Sequence, residues 1–134
     1  MAAYGVGPAG VTSITPTARD IYVKVGVLEV ADGSTGVALF GLPKNAVVLD
    51  VTTICNGANA TQTVNVGFTA GGTELLNAFA PNSTGQAPAG VKAGTSVGTQ
   101  LTSDKLVYAK ASATLTTPVI VKVGYVIPPQ GLSL

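Results

Sequence analysis

Histidine and tryptophan are absent from these 134 residues, and there is one cysteine. With no imidazole and a lone thiol, zinc clusters of His and Cys are excluded, and so are Ser-His and Cys-His nucleophile pairs. Charge is scarce: Asp, Glu, Lys and Arg make up 10% of the chain, against about a quarter in ordinary soluble proteins. The seven basic and six acidic residues are scattered and leave a net charge of +1. No basic run exists to track a nucleic-acid backbone, so no nucleic-acid partner is expected. Long apolar runs are missing too, because Asp50 and Lys122 interrupt the richest ones, and the N-terminus lacks the basic region and apolar core of a signal peptide. A soluble chain with no membrane partner is therefore expected. Cys55 stands in a strand pattern and has no cysteine to pair with, which suits a buried, inert thiol folded in a reducing compartment.

Six carboxylates remain as possible chemistry: Asp20, Glu29, Asp32, Asp50, Glu74 and Asp104. A glycosidase needs two facing each other across a cleft, whereas these fall mostly at strand ends and turns. Asp32-Gly33-Ser34 lacks the dense oxygen donors of a calcium loop. The four tyrosines and three phenylalanines fall mostly in strands, where packing is their ordinary work. The chain is thus expected to be no enzyme and to hold no cofactor or metal.

What the sequence does have is alternation with a period of two, the mark of a half-buried strand. In residues 46–68, Val47, Leu49, Val51, Thr53 and Cys55 oppose Asp50 and Thr52, and then Val64, Val66 and Phe68 oppose Thr63 and Asn65. Residues 56–60, NGANA, tolerate positive φ, so this stretch reads as a β-hairpin with a five-residue loop. Upstream, Ile21, Val23, Val25 and Val27 share a face until Leu28 and Val30 shift phase beside Gly26, which predicts a bulge or bend there. Residues 37–42 form a short strand. After Ala70-Gly71-Gly72, Thr73 is placed to cap a short helical turn that points Leu75, Leu76 and Phe79 inward. Residues 80–98 show little periodic order. Val107, Ala109, Ala111, Ala113 and Leu115 define another strand, and Val119, Val121, Val123, Tyr125 and Ile127 the last, which Pro128-Pro129 ends.

Residues 1–20 are loose and hold Pro8 and Pro16. Gly5, Gly7 and Gly10 match a dinucleotide-binding glycine pattern, but no strand precedes them and Pro8 sits inside, so the match is fortuitous. The expected fold is all-β: an extended N-terminal arm over 1–20 and one antiparallel β-sandwich domain over 21–134, jelly-roll-like, with one short helical turn. A surface so poor in charge suits a protein that sits against neighbours.

Four stretches together resemble a known family: LPKNAVVLDVTTIC at 42–55, ATQTVNVGF at 60–68, TELLNAF at 73–79 and VIVKVGYVIP at 119–128. Over roughly residues 23–127 the chain resembles the head decoration, or cement, proteins of tailed bacteriophages. That resemblance implies a β-sandwich, made in the bacterial host cytoplasm, that assembles as a homotrimer on the outside of the virion. There it bridges major capsid subunits and stabilises the shell, with no catalytic residues. It does not fix which residues make contact. The arm and the aperiodic loop supply the candidates for capsid or inter-subunit contact: Val11, Ile14, Pro16, Pro81, Asn82, Pro88, Val91 and Lys92. The competing reading is a carbohydrate-binding sandwich, since jelly rolls host lectins, but a chain without tryptophan is poorly equipped for sugar stacking.

Overall fold

The computed structural model describes residues 20–55, 62–80, 85–88 and 93–129. Its strands are β1 (Tyr22–Leu28), β2 (Val37–Leu42), β3 (Val47–Cys55), β4 (Val64–Gly67), β5 (Leu76–Phe79), β6 (Gly85–Pro88), β7 (Lys105–Ala111) and β8 (Val119–Val126). They form two four-stranded sheets, ordered β1-β8-β3-β6 and β2-β7-β4-β5, with antiparallel pairing. The first strand thus pairs with the last, the second with the seventh, the third with the sixth and the fourth with the fifth. Such a chain is one long antiparallel ribbon doubled back on itself at β4 and β5. Rolling the ribbon up joins β8 to β3 in one sheet and β7 to β4 in the other, which is a jelly roll.

The hairpin expected over residues 46–68 is therefore not formed. Both edges of β3 are taken, by β8 and β6, while β4 lies in the opposite sheet between β7 and β5. Alternation shows that a segment is a strand and leaves its partner open. The local hairpin is β4–β5 instead, and its turn shows why. Gly72 N–H donates to the Thr69 carbonyl at 2.9 Å, Leu75 N–H donates to the Val66 carbonyl at 2.9 Å, and Gly71 takes φ +83°. A Cβ on Gly67 would overlap Glu74 Oε1 and the Gly72 backbone, so the turn folds flat against β4 only because that side chain is missing. Glu74 Oε1 accepts the Phe68 N–H at 3.0 Å.

Two further expectations are corrected nearby. Residues 76–79 are strand, not helix: Leu75 and Leu76 are buried and Phe79 is half-buried as foreseen, but Leu76 pairs with Val66 and Ala78 N–H donates to Asn65 Oδ1 at 2.7 Å. The short helical turn lies elsewhere, as a 3-10 turn at Val30–Asp32. The aperiodic stretch 80–98 contains β6, whose Gly85 to Pro88 pair with Cys55 to Thr52. Beyond it, Gly94 and Ser96 N–H donate to the Leu75 and Glu74 carbonyls, and Gly98 N–H donates to the Val48 carbonyl. Those bonds tie the loop to both sheets.

The core lies between the sheets. Val119, Val121 and Val123 of β8 and Val48 and Val51 of β3 pack there with Val64, Val66, Val107, Leu28, Leu42, Leu75 and Leu76. The alternation predicted for β8 is the one observed, and that for β7 holds from Val107 to Ala111, where the strand ends short of the expected Leu115 and leaves Ala113 exposed. In β3 a register shift between Val48 and Asp50 puts Val48 on the core side with Val51 and turns Leu49 outward, against the simple alternation. Cys55 is buried, as foreseen, with Sγ 3.3 Å from Thr117 Oγ1.

Candidate interaction surface

β1 carries the largest departure from the expected pattern. Its pairing with β8 runs without a shift from Tyr22 opposite Tyr125 to Leu28 opposite Val119, so the bulge predicted beside Gly26 is absent from this strand. The irregularity sits across the interface in β2, between Ala38 and Phe40. There Leu39 presses on Gly26 so closely that a Cβ on the glycine would lie 2.6 Å from Leu39 Cβ. Residues opposite one another in an antiparallel pair share a face. Because β8 points Val119, Val121, Val123 and Tyr125 inward, the inward residues of β1 are Leu28, Gly26, Lys24 and Tyr22.

The valine face of β1 consequently points away from the core. Ile21 is 64% exposed, Val23 55%, Val25 57% and Val27 40%. Lys24 and Tyr22 are exposed as well, so the first half of the strand overhangs the second sheet, with Tyr22 stacked on Tyr125 at 5.5 Å between ring centroids. Four β-branched apolar side chains in a row are an unusual thing to leave in water. Burying the open half of each is worth roughly 1 kcal/mol. The stripe continues on the same outer face of β8 with Ile120 and Val126 and of β3 with Ile54, all half-buried. Lys122, between Val25 and Thr52, and Asp50, beside Gly124, are the charges set into it.

β1 is also an edge. Among the described residues its one hydrogen-bonded neighbour is β8, so the other side presents a row of N–H and C=O groups able to receive a further strand. The other end of this sheet is β6.

Of the contact residues named from the sequence, Pro88 is the last residue of β6, opposite Thr52. Val11, Ile14, Pro16, Pro81, Asn82, Val91 and Lys92 lie outside the described residues. Sequence reasoning missed Ile21, Val23, Val25 and Val27 because it put the valines in the core. The strand itself carries no signal against that reading: the reverse face of β1, Lys24 and Gly26, has the same letters as the reverse face of β8, Lys122 and Gly124, whose valines are in the core. Among the described residues no group of three or more His, Cys, Asp or Glu could hold a metal ion, and no helix is long and apolar enough to cross a membrane. Asp104, like Glu74, serves the backbone: its Oδ1 accepts the Lys44 N–H at 2.8 Å.

No protein-family model matches the chain, and no curated protein matches it by sequence. Solved structures do. A chain from a structure described as "Cyanophage Pam1 capsid asymmetric unit" is 23% identical, with 94% of each chain covered and a TM-score of 0.60. A chain from "Acidic stable capsid structure of Helicobacter pylori bacteriophage KHP30" is 16% identical, covering 84% of this chain and 92% of that one, with a TM-score of 0.60. At these identities the likeness is one of fold. The jelly roll described above is thus shared, nearly end to end, with chains of two phage capsid structures.

Proposed function

We propose that this chain is a structural virion protein that binds the outside of a phage capsid as a homotrimer, bridges neighbouring major capsid subunits and stabilises the shell. The observation that carries this reading is the fold match to chains of phage capsid structures over 94% of both partners in one case. Because nearly the whole of each chain is covered, the likeness is not that of a common sandwich core inside a larger, unrelated protein. The surface is consistent with it: an apolar stripe on an open sheet edge is a liability in a free monomer and an asset in a lattice. The proposed contacts are the β1 stripe, the arm over residues 1–20 with Val11, Ile14 and Pro16, and the loop with Pro81, Asn82, Pro88, Val91 and Lys92. Shell reinforcement needs no catalysis, cofactor, nucleic acid or membrane; the protein is made in the host cytoplasm and resides on the virion.

Quantitative mass spectrometry of purified particles tests this directly. The polypeptide is expected in a fixed, stoichiometric ratio to the major capsid protein, accessible to surface proteolysis, and particles stripped of it are expected to break at lower temperature. Its absence from purified particles overturns the reading.

A further inference from the structure

We infer that the N-terminal segment of one copy lies along β1 of a neighbouring copy, adds to its free edge and covers Ile21, Val23, Val25 and Val27, so that the oligomer is held by exchanged arms. The inference rests on the homo-oligomer part of the proposed function and not on the capsid part.

The acceptor is on the page. β1 ends its sheet, and one backbone edge is open among the described residues. On its outer face stand four exposed apolar side chains with no charge between them. An incoming strand gains main-chain hydrogen bonds from the edge and specificity from the side chains it covers.

The donor is the segment attached where the stripe begins. Residues 2–18 contain no charged side chain, so laying them over valines desolvates no ion. Val11 and Ile14 supply apolar contacts, and Pro8 and Pro16 favour an extended course. Nineteen residues precede Asp20; extended, they reach about 60 Å, whereas the seven residues of β1 span about 23 Å. The segment is therefore long enough to reach a second molecule and line its β1.

Sequence at the junction favours the neighbour over the segment's own strand. To cover its own stripe the segment must reverse just before Ile21, and the tight two-residue reversals require positive φ, the province of glycine and asparagine. Residues 16–20, PTARD, contain neither and offer one aspartate, Asp20, where a type I′ reversal needs two residues that tolerate positive φ; the glycines stand further back, at 5, 7 and 10. An arm that runs on past its own strand makes a head-to-tail contact. Such contacts close into rings of three as readily as of other sizes, whereas a self-complementary patch stops at two.

The test uses the full chain in a Cys55→Ala background. Ile14→Cys is placed in one preparation and Val25→Cys in another, the two are mixed and allowed to exchange, and a short bis-maleimide is added. A covalent adduct between the two chains is expected. Light scattering of Val23→Lys/Val25→Lys, and of the chain lacking residues 1–18, is expected to show at least tenfold weaker self-association in each. Val23→Ser/Val25→Ser, with the β-sheet circular dichroism of the parent, repeats the measurement without added charge. Cross-linking confined to chains carrying both cysteines, at every protein concentration, overturns the inference in favour of a self-covering arm. Unchanged oligomer size in the stripe variants, with attachment to particles lost, overturns it in favour of a capsid contact. None of these measurements except the last requires a particle, so the inference can fail while the virion role stands, and the reverse.

Discussion

β1 and β8 lie side by side in one sheet, both alternate valines with other residues, and they use those valines in opposite ways. β8 buries Val119, Val121 and Val123 completely, while β1 holds Val23, Val25 and Val27 in the open. The difference is decided by what faces the other way. Opposite the β8 valines stand Ile120, Lys122 and Gly124; opposite the β1 valines stand Lys24, Gly26 and Leu28. Only Gly26 leaves room for Leu39 of the second sheet, so the inward face of β1 was chosen by a space requirement rather than by hydrophobicity. An apolar face that loses the competition for the core is surplus to folding, and its presence there calls for another use.

The sharpest way to break the comparison is to place the same charge in both strands. Val121→Lys buries an ammonium among Val48, Val51 and their neighbours, a penalty of several kcal/mol that matches the whole stability of a domain this size; no cooperative thermal transition is expected. Val25→Lys adds its charge to solvent and is expected to move the stability of the isolated subunit by about 0.5 kcal/mol or less. Denaturant titration of the two proteins reads the contrast, and a large loss in Val25→Lys would place that side chain in the core after all.

Next in size is Gly26→Val, which tests the space requirement itself. Its new side chain meets Leu39 and is expected to cost about 1–3 kcal/mol by overpacking, and truncating the neighbour as Gly26→Val/Leu39→Ala should restore part of the loss. An innocuous Gly26→Val would remove the reason given for the orientation of β1.

The smallest effect among the core substitutions is expected at the far end of β8's other neighbour, β3. Cys55→Ala removes one buried sulfur and should cost about 1 kcal/mol, while Cys55→Ser should cost less than burial of a bare hydroxyl would, because Thr117 Oγ1 is within reach to pair with it. Both variants are expected to oligomerise as the parent does; sedimentation at matched concentrations checks that.

These cases also mark how far the sequence could be read. Period-two alternation in residues 107–111 and 119–125 gave strands with the right buried face, because each opposite face carries a lysine, Lys110 or Lys122, within it and no small residue there is needed to admit a side chain of the other sheet. It failed to pair β3 with its partners, since register between distant strands is set by which edges remain free once the ribbon is rolled, and that is not a local property. It failed at Leu76–Phe79, where four residues can be a helical turn or a strand and the choice fell to Val66 and Asn65 across the sheet. The surface was the hardest to foresee. Apolar residues exposed for a partner and apolar residues bound for the core have the same letters, and so do their reverse faces here, Lys24 and Gly26 in β1 and Lys122 and Gly124 in β8; the close approach of Leu39 to Gly26, a tertiary contact, tells them apart.

The pairing of the first strand with the last has a consequence for how the protein is made. On the ribosome, β1 emerges early, yet the strand it must pair with is translated about a hundred residues later, a wait of roughly 5–20 s at ordinary rates of synthesis. Throughout that interval both backbone edges of β1 stand open, and the valine row, which docking on β8 leaves exposed, is open before and after it. The strand that keeps the most apolar surface in the open is thus the one that waits longest for its partner, a window in which nascent neighbours on one polysome can meet through the same residues.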